Sequence, residues 1–287
     1  MNRHFERLSF TQRVSTMLAV DFRRMFKSLL VWILIASCLV APIVITVMVE
    51  MMEGTIPTNP QTGEPGEPIK GFDSAWQIIG SVVDMEAMGN MSAGGAGGAG
   101  GASGMAAMEM DVTSMCNINM LYFFIAVLVC LFISDDFRSG YAKNLFTVRA
   151  KKSDYVISKT LVCFLGGALM ILAFFVGSLL GGAIAGLPFD MVGFNGFNLA
   201  MCILSKMVLV SVFVAIYVVM AVIAKGKTWL SLLLSFGVGM FLFMMIPMVS
   251  PLNATPVHLL LCAAGGAMFT VGLGAVSNTI LKKTSLI

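Results

Sequence analysis

Read for apolar and polar positions, the chain alternates long apolar runs with short charged connectors. Six runs stand out, at 28–52, 117–133, 155–187, 197–224, 228–249 and 256–281. Each is near or beyond the ~20 residues that a helix needs to cross a hydrocarbon core of roughly 30 Å. The pattern predicts an all-α integral membrane protein with six transmembrane helices, the first bent at Pro42. The residues before the first run behave differently. Phe10, Val14, Met17, Leu18, Phe22, Met25 and Phe26 recur at helical spacing, with Arg13, Arg23, Arg24 and Lys27 between them. That is the pattern of an amphipathic helix within 1–27, lying on the membrane surface. Asp21 falls on its apolar side and is expected to pair with Arg24 or with a residue of the loop that follows the second span.

The connectors are unequal. Residues 53–116 form one long polar segment rich in Pro, Gly, Ala and Met. Its first part, 55–71, has the composition of extended or disordered chain. Residues 72–88 could form an amphipathic helix, with Trp76 at the water–lipid interface. Residues 91–108 are nearly all Gly, Ala, Ser and Met, the composition of a flexible linker. Three prolines between 247 and 256 predict broken or re-entrant helix ends around an outer turn at 250–255. The third run carries Gly177, Gly181, Gly182 and Gly186, a small-residue spacing suited to close helix packing within the bundle or across a dimer.

Composition agrees: 58% of the 287 residues are hydrophobic and 11% charged, against about 25% charged in soluble domains. Charge adds orientation. Every Lys and Arg except Lys70 and Lys206 falls in 1–27, 134–159, 225–227 or 282–287, whereas most acids lie in the other connectors. Basic residues mark the cytoplasmic side, so both termini and the loop at 134–154 are expected there, in a multi-pass plasma-membrane protein.

Little points to chemistry. The six cysteines fall in or beside apolar runs without C-x-x-C spacing and are expected to be packing residues. His4 and His258 have no partner at ligand spacing, so no metal site is expected. Hydrolase signatures are absent, and nothing points to nucleic acid. Ala224-Lys-Gly-Lys-Thr228 lacks the first glycine of a phosphate-binding loop and follows a membrane span, so Lys225 and Lys227 read as interfacial anchors. Methionines between 85 and 115 could serve as Cu(I) ligands or as adaptable apolar filler, and their irregular spacing favours filler. Lys206 sits about two turns into the fourth span. It either lines a polar path or reaches the outer headgroups along its stem, the latter being slightly favoured.

The most polar stretch is 134–159, SDDFRSGYAKNLFTVRAKKSDYVISK. It holds acidic Asp135 and Asp136, then Arg138, Gly140, Lys143-Asn144-Leu145, a basic cluster, and Asp154-Tyr-Val-Ile-Ser-Lys159 opening the next run. A short helix from Tyr141, with Leu145 and Phe146 as apolar contacts, is expected to rest on a partner. This order resembles the first cytoplasmic loop of type-2 ATP-binding-cassette (ABC) transporter permeases, although the Pro-x-Ser-Arg usual near the loop end is missing. The resemblance implies a coupling helix that docks on separate ATPase subunits, involving Asp135, Asp136, Arg138, Gly140, Tyr141, Lys143, Asn144, Leu145, Phe146 and Lys159. It implies that the N-terminal helix, with Asp21, Arg23 and Arg24, is a connecting helix; the residues alone equally allow an anionic-lipid anchor. It implies two permease halves, identical or not, and ATP with Mg held by the partner ATPase, with no cofactor on this chain.

Path-lining candidates are Lys206, Met240, Met244, Met245 and Met248. The apolar, Met- and Phe-rich spans point to a hydrophobic or amphipathic substrate such as a peptide, antimicrobial or lipid, carried by an exporter. The competing possibility is a non-transporting membrane immunity or sensor protein that captures a ligand with its long outer segment.

Overall fold

The computed structural model describes residues 9–56, 69–82, 117–147, 151–243 and 245–283. The Gly/Ala/Met-rich linker, residues 83–88, Arg149 and Met244 lie outside these. Among the described residues all regular structure is helical. Five helices are long and apolar enough to cross a membrane: α2 (Leu29–Met52), α3 (Leu121–Arg138, entered through a 3-10 turn at Ile118–Met120), α5 (Lys152–Ala185), α6 (Gly196–Ala224) and α9 (Pro256–Lys283). They are accompanied by α1 (Phe10–Lys27), α4 (Tyr141–Thr147), α7 (Thr228–Phe243) and α8 (Ile246–Val249).

The run expected as a single span at 228–249 is divided. Helix α7 has 16 residues, about 24 Å at 1.5 Å per residue, which is short of the hydrocarbon core. The chain then turns at Met245 into the four-residue α8, whose second residue is Pro247. Proline lacks the N–H for a continuing helix but suits a first turn. Helix α2, by contrast, continues from Leu29 to Met52 with Pro42 inside it.

Local signals account for the ends. Ser9 and Gln12 form a reciprocal capping box at the start of α1 (Gln12 N to Ser9 Oγ 3.3 Å, Ser9 N to Gln12 Oε1 3.1 Å). Helix α6 ends with Lys225 and Gly226 at positive φ (48° and 81°). The Lys-Gly-Lys sequence is therefore a tight turn into α7, packed on Phe137 and Arg138.

Helices α3, α5 and α6 form the interior, with α2 laid along α5 and α9 along α6. The glycines of α5 serve packing within the chain. A Cβ on Gly177 would lie 2.1 Å from the Leu39 carbonyl oxygen, and one on Gly181 3.0 Å from Ile43 Cα. These glycines let the α2 backbone lie directly against α5.

Over its described part, 72–82, the helix expected at 72–88 is not formed: residues 73–79 are bends and turns. Phe72, Ala75, Trp76, Ile78 and Ile79 are all buried. Trp76 packs edge-on against Phe189 and Phe194 (centroids 5.5 and 6.3 Å) rather than facing an interface. Three backbone bonds stitch this cap to other connectors: Ala75 N to Pro188 O (3.1 Å), Ile118 N to Ile78 O (2.9 Å) and Leu252 N to Ser81 O (3.0 Å). Three anchored backbone bonds leave the segment no freedom to wind on its own.

Candidate functional site: a charged joint beneath the short helix

At the basic end of the bundle the N-terminal helix, the end of α3 and the start of α5 meet through buried charges. Asp21 of α1 is the residue that broke the apolar stripe, and the structure shows why it is there. It is fully buried and accepts from Lys159 Nζ (2.8 Å) and Ser158 Oγ (2.7 Å). Lys159 also pairs with Asp136 at 2.7 Å. Asp136 in turn accepts from Arg24 Nη1 at 2.7 Å and from the Tyr155 hydroxyl at 2.9 Å. Arg24 approaches Asp21 and Asp135 more loosely, at 3.9 and 4.0 Å.

Two carboxylates, Asp21 and Asp136, thus balance two cations, Arg24 and Lys159. Aromatic faces complete the surroundings. Lys159 Nζ lies 4.0 Å from the Phe132 ring centre, and the Arg24 guanidinium 3.9 Å from that of Tyr141. Burial works against the charge of Arg24, but the charge and hydrogen bond of Asp136, together with Tyr141 and Asp21, outweigh it and raise the pKa above its ordinary value. A second ion pair, Arg13 Nε to Asp154 Oδ2 at 3.0 Å, ties the start of α1 to the start of α5. Lys152 Nζ reaches the Leu281 carbonyl oxygen at 2.6 Å, satisfying one of the orphan acceptors at the end of α9.

Helix α4 sits directly on this joint. Gly140, at φ 72°, turns the chain out of α3, a conformation that glycine adopts without cost. Ala142 is buried, Phe146 meets Tyr155 edge-on at 5.4 Å, and Tyr141 stacks on Arg24. The short helix therefore has a seat on its own chain. Its other face, with Arg138, Lys143 and Asn144, is exposed, and so are Asp135 and Arg23.

The loop residues thus divide into two groups. Asp136 and Lys159, expected at a docking surface, are fully buried in the joint. Arg138, Lys143 and Asn144 remain outside, and Tyr141, Leu145 and Phe146 are half-buried between. Sequence reasoning missed Tyr155, Ser158, Phe132 and the Arg13–Asp154 pair. The available signal was a set of opposite charges at the ends of apolar helices, each of which needs a counter-charge.

The path-lining candidates are not brought together. Lys206 is fully buried rather than extended to headgroups. It donates to Asn119 Oδ1 (2.9 Å) and Ser250 Oγ (3.2 Å). Its ammonium is thus held between the turn that opens α3 and the end of α8, away from the surface. Met240, Met245 and Met248 are about half exposed on the outside of the chain. Met244 lies outside the described residues. The five described cysteines are free and buried.

A family model described as ABC-2 family transporter protein matches residues 75–242, from the cap through α7. No curated protein and no solved structure gives a match. The matched region is more than half of the chain and contains the short helix, α3, α5 and α6, and with them Asp136 and Lys159 of the joint; the chain belongs to the ABC-2 transporter family, as a membrane-embedded permease component.

Proposed function

We propose that this chain is one permease half of an ATP-driven exporter, and that α4 receives the push of a separate ATPase subunit bound at the basic end, in the cytoplasm. The observation that carries this is the charge-balanced joint under α4. A displacement of α4 reaches α1, α3 and α5 together because Asp136 is bonded to both Arg24 and Lys159, and Lys159 also to Asp21. Buried ion pairs are costly to break singly, so the joint moves as a unit. Arg138, Lys143 and Asn144 form the exposed face that meets the ATPase, which supplies ATP and Mg.

In this proposal α7 and α8 together make the sixth crossing, both termini are cytoplasmic, and a second half, identical or sister, completes the translocation path. The apolar exterior of α7, with Trp229, Leu233, Met240 and Phe241 exposed, suits a hydrophobic or amphipathic cargo. The test is co-purification with the ATPase encoded beside this chain, comparing wild type with Arg138→Glu/Lys143→Glu. The expected result is a stable complex with permease-stimulated ATP hydrolysis, both weakened by the reversal. A chain that binds no ATPase and stimulates none would refute the proposal.

A further inference from the structure

At the opposite end of the bundle from the joint, three chain segments converge on one lysine. Asn119 comes from the turn that opens α3, Lys206 from α6, and Ser250 from the end of α8. Lys206 is fully buried, and among the described residues no carboxylate pairs with it. Its ammonium is held by two neutral oxygens.

The two arms are not equivalent. The Asn119 side is held twice, because the Tyr122 hydroxyl of the same segment also donates to the Lys206 carbonyl oxygen at 2.9 Å. The Ser250 side is held by the longer ammonium bond and by a weak Cys202 Sγ to Ser250 O contact at 3.6 Å. It ends a four-residue helix, too short to persist by its own hydrogen bonds. Ser250 Oγ accepts from Lys206 while donating to Ile246 O at 3.2 Å, so it relays the hold to the whole of α8. Leu252, two residues on, is bonded to the cap at Ser81.

We infer that Lys206 and Ser250 are the latch of this end of the permease: the ammonium keeps α8 and the cap seated, and opening breaks the Ser250 arm first. The chemistry makes the latch reversible. Closed, it is held by two directional charge-assisted bonds, but the ammonium gives up its hydration. Open, water solvates the ammonium and returns that cost. An apolar residue of the same length would supply neither the hold nor the release. The inference rests on the permease proposal for its place in a transport cycle, but not for the latch itself.

Cys202, buried beneath Ser250, is a native reporter. The purified chain in neutral-lipid nanodiscs is treated with a small charged methanethiosulfonate, and labelling is resolved by peptide mass spectrometry. Wild-type Cys202 should label slowly. Ser250→Ala should label about tenfold faster, the shift allowed by loss of one charge-assisted hydrogen bond; Lys206→Met should behave similarly, and Ser250→Thr, which keeps a hydroxyl, should stay near wild type. Cys163, buried toward the basic end, should be unchanged throughout. Wild-type labelling of Cys202 in Ser250→Ala, or a parallel rise at Cys163, would overturn the latch. With the ATPase bound, ATP turnover should expose wild-type Cys202; turnover with Cys202 silent would overturn the latch as a step of the cycle. Absence of any turnover would count against the permease proposal and leave the nanodisc result to decide on the latch alone.

Discussion

Lys159 and Lys206 are both buried lysines in an apolar bundle, and they sit in opposite electrostatic situations. Lys159 touches two carboxylates, with a second cation to balance them. Lys206 touches an amide oxygen and a hydroxyl. The first arrangement is compensated and ties together α1, α3 and α5. The second is under-compensated and ties α6 to the turn before α3 and to the end of α8. Burial alone says little about the role of a cation; the charge of its partners decides how far its burial is compensated.

The sharpest way to break this comparison is Lys159→Met. It leaves two buried carboxylates facing one cation and should cost about 3–5 kcal/mol, read as a lowered denaturation midpoint in detergent or as loss of folded protein. Lys206→Met should cost less: the orphaned Asn119 oxygen forfeits about 1–3 kcal/mol, offset by relief of the ammonium's desolvation. Equal losses at the two lysines would erase the distinction drawn here. Arg24→Lys keeps the charge but loses the planar stack on Tyr141 and the directed Nη1 bond to Asp136. We expect about 0.5–1 kcal/mol, with larger damage to ATPase stimulation than to stability; unaltered stimulation would remove Arg24 from the transmission. The smallest stability effect belongs to Arg138→Glu/Lys143→Glu, within about 0.5 kcal/mol for exposed side chains. Its association with the ATPase should nonetheless be weakened, and a stability change of several kcal/mol would show these residues to be structural.

Much of the architecture was legible because membrane spans are announced by length and apolarity alone. The amphipathic α1, the short helix from Tyr141 and the close-packing glycines of α5 followed from spacing. The break at Met245 was harder to see, since 228–249 is apolar throughout and the interruption depends on Pro247 opening a new helix. The cap at 72–82 was read as a helix because Trp76, Ile79 and Val83 share a helical period. Periodicity cannot foresee that Ile78 and Ser81 offer their carbonyls to distant connectors. In the loop, charge density marked the stretch where the buried charges gather, but its members could not be sorted. Asp135 and Asp136 are neighbours of identical chemistry, yet only Asp136 turns inward, while the side chain of Asp135 stays 72% exposed.

The sequence by itself determined the all-helical membrane class, the long apolar helices, the basic end and the stretch where coupling is expected, because hydrophobic run length and charge placement are local properties. Only the tertiary structure decided which charges neutralise one another, that the glycines of α5 serve α2, and that Lys206 is enclosed. Those outcomes depend on groups far apart in the sequence coming into contact, as Arg24 and Asp136 do across 112 positions and Lys206 and Asn119 across 87.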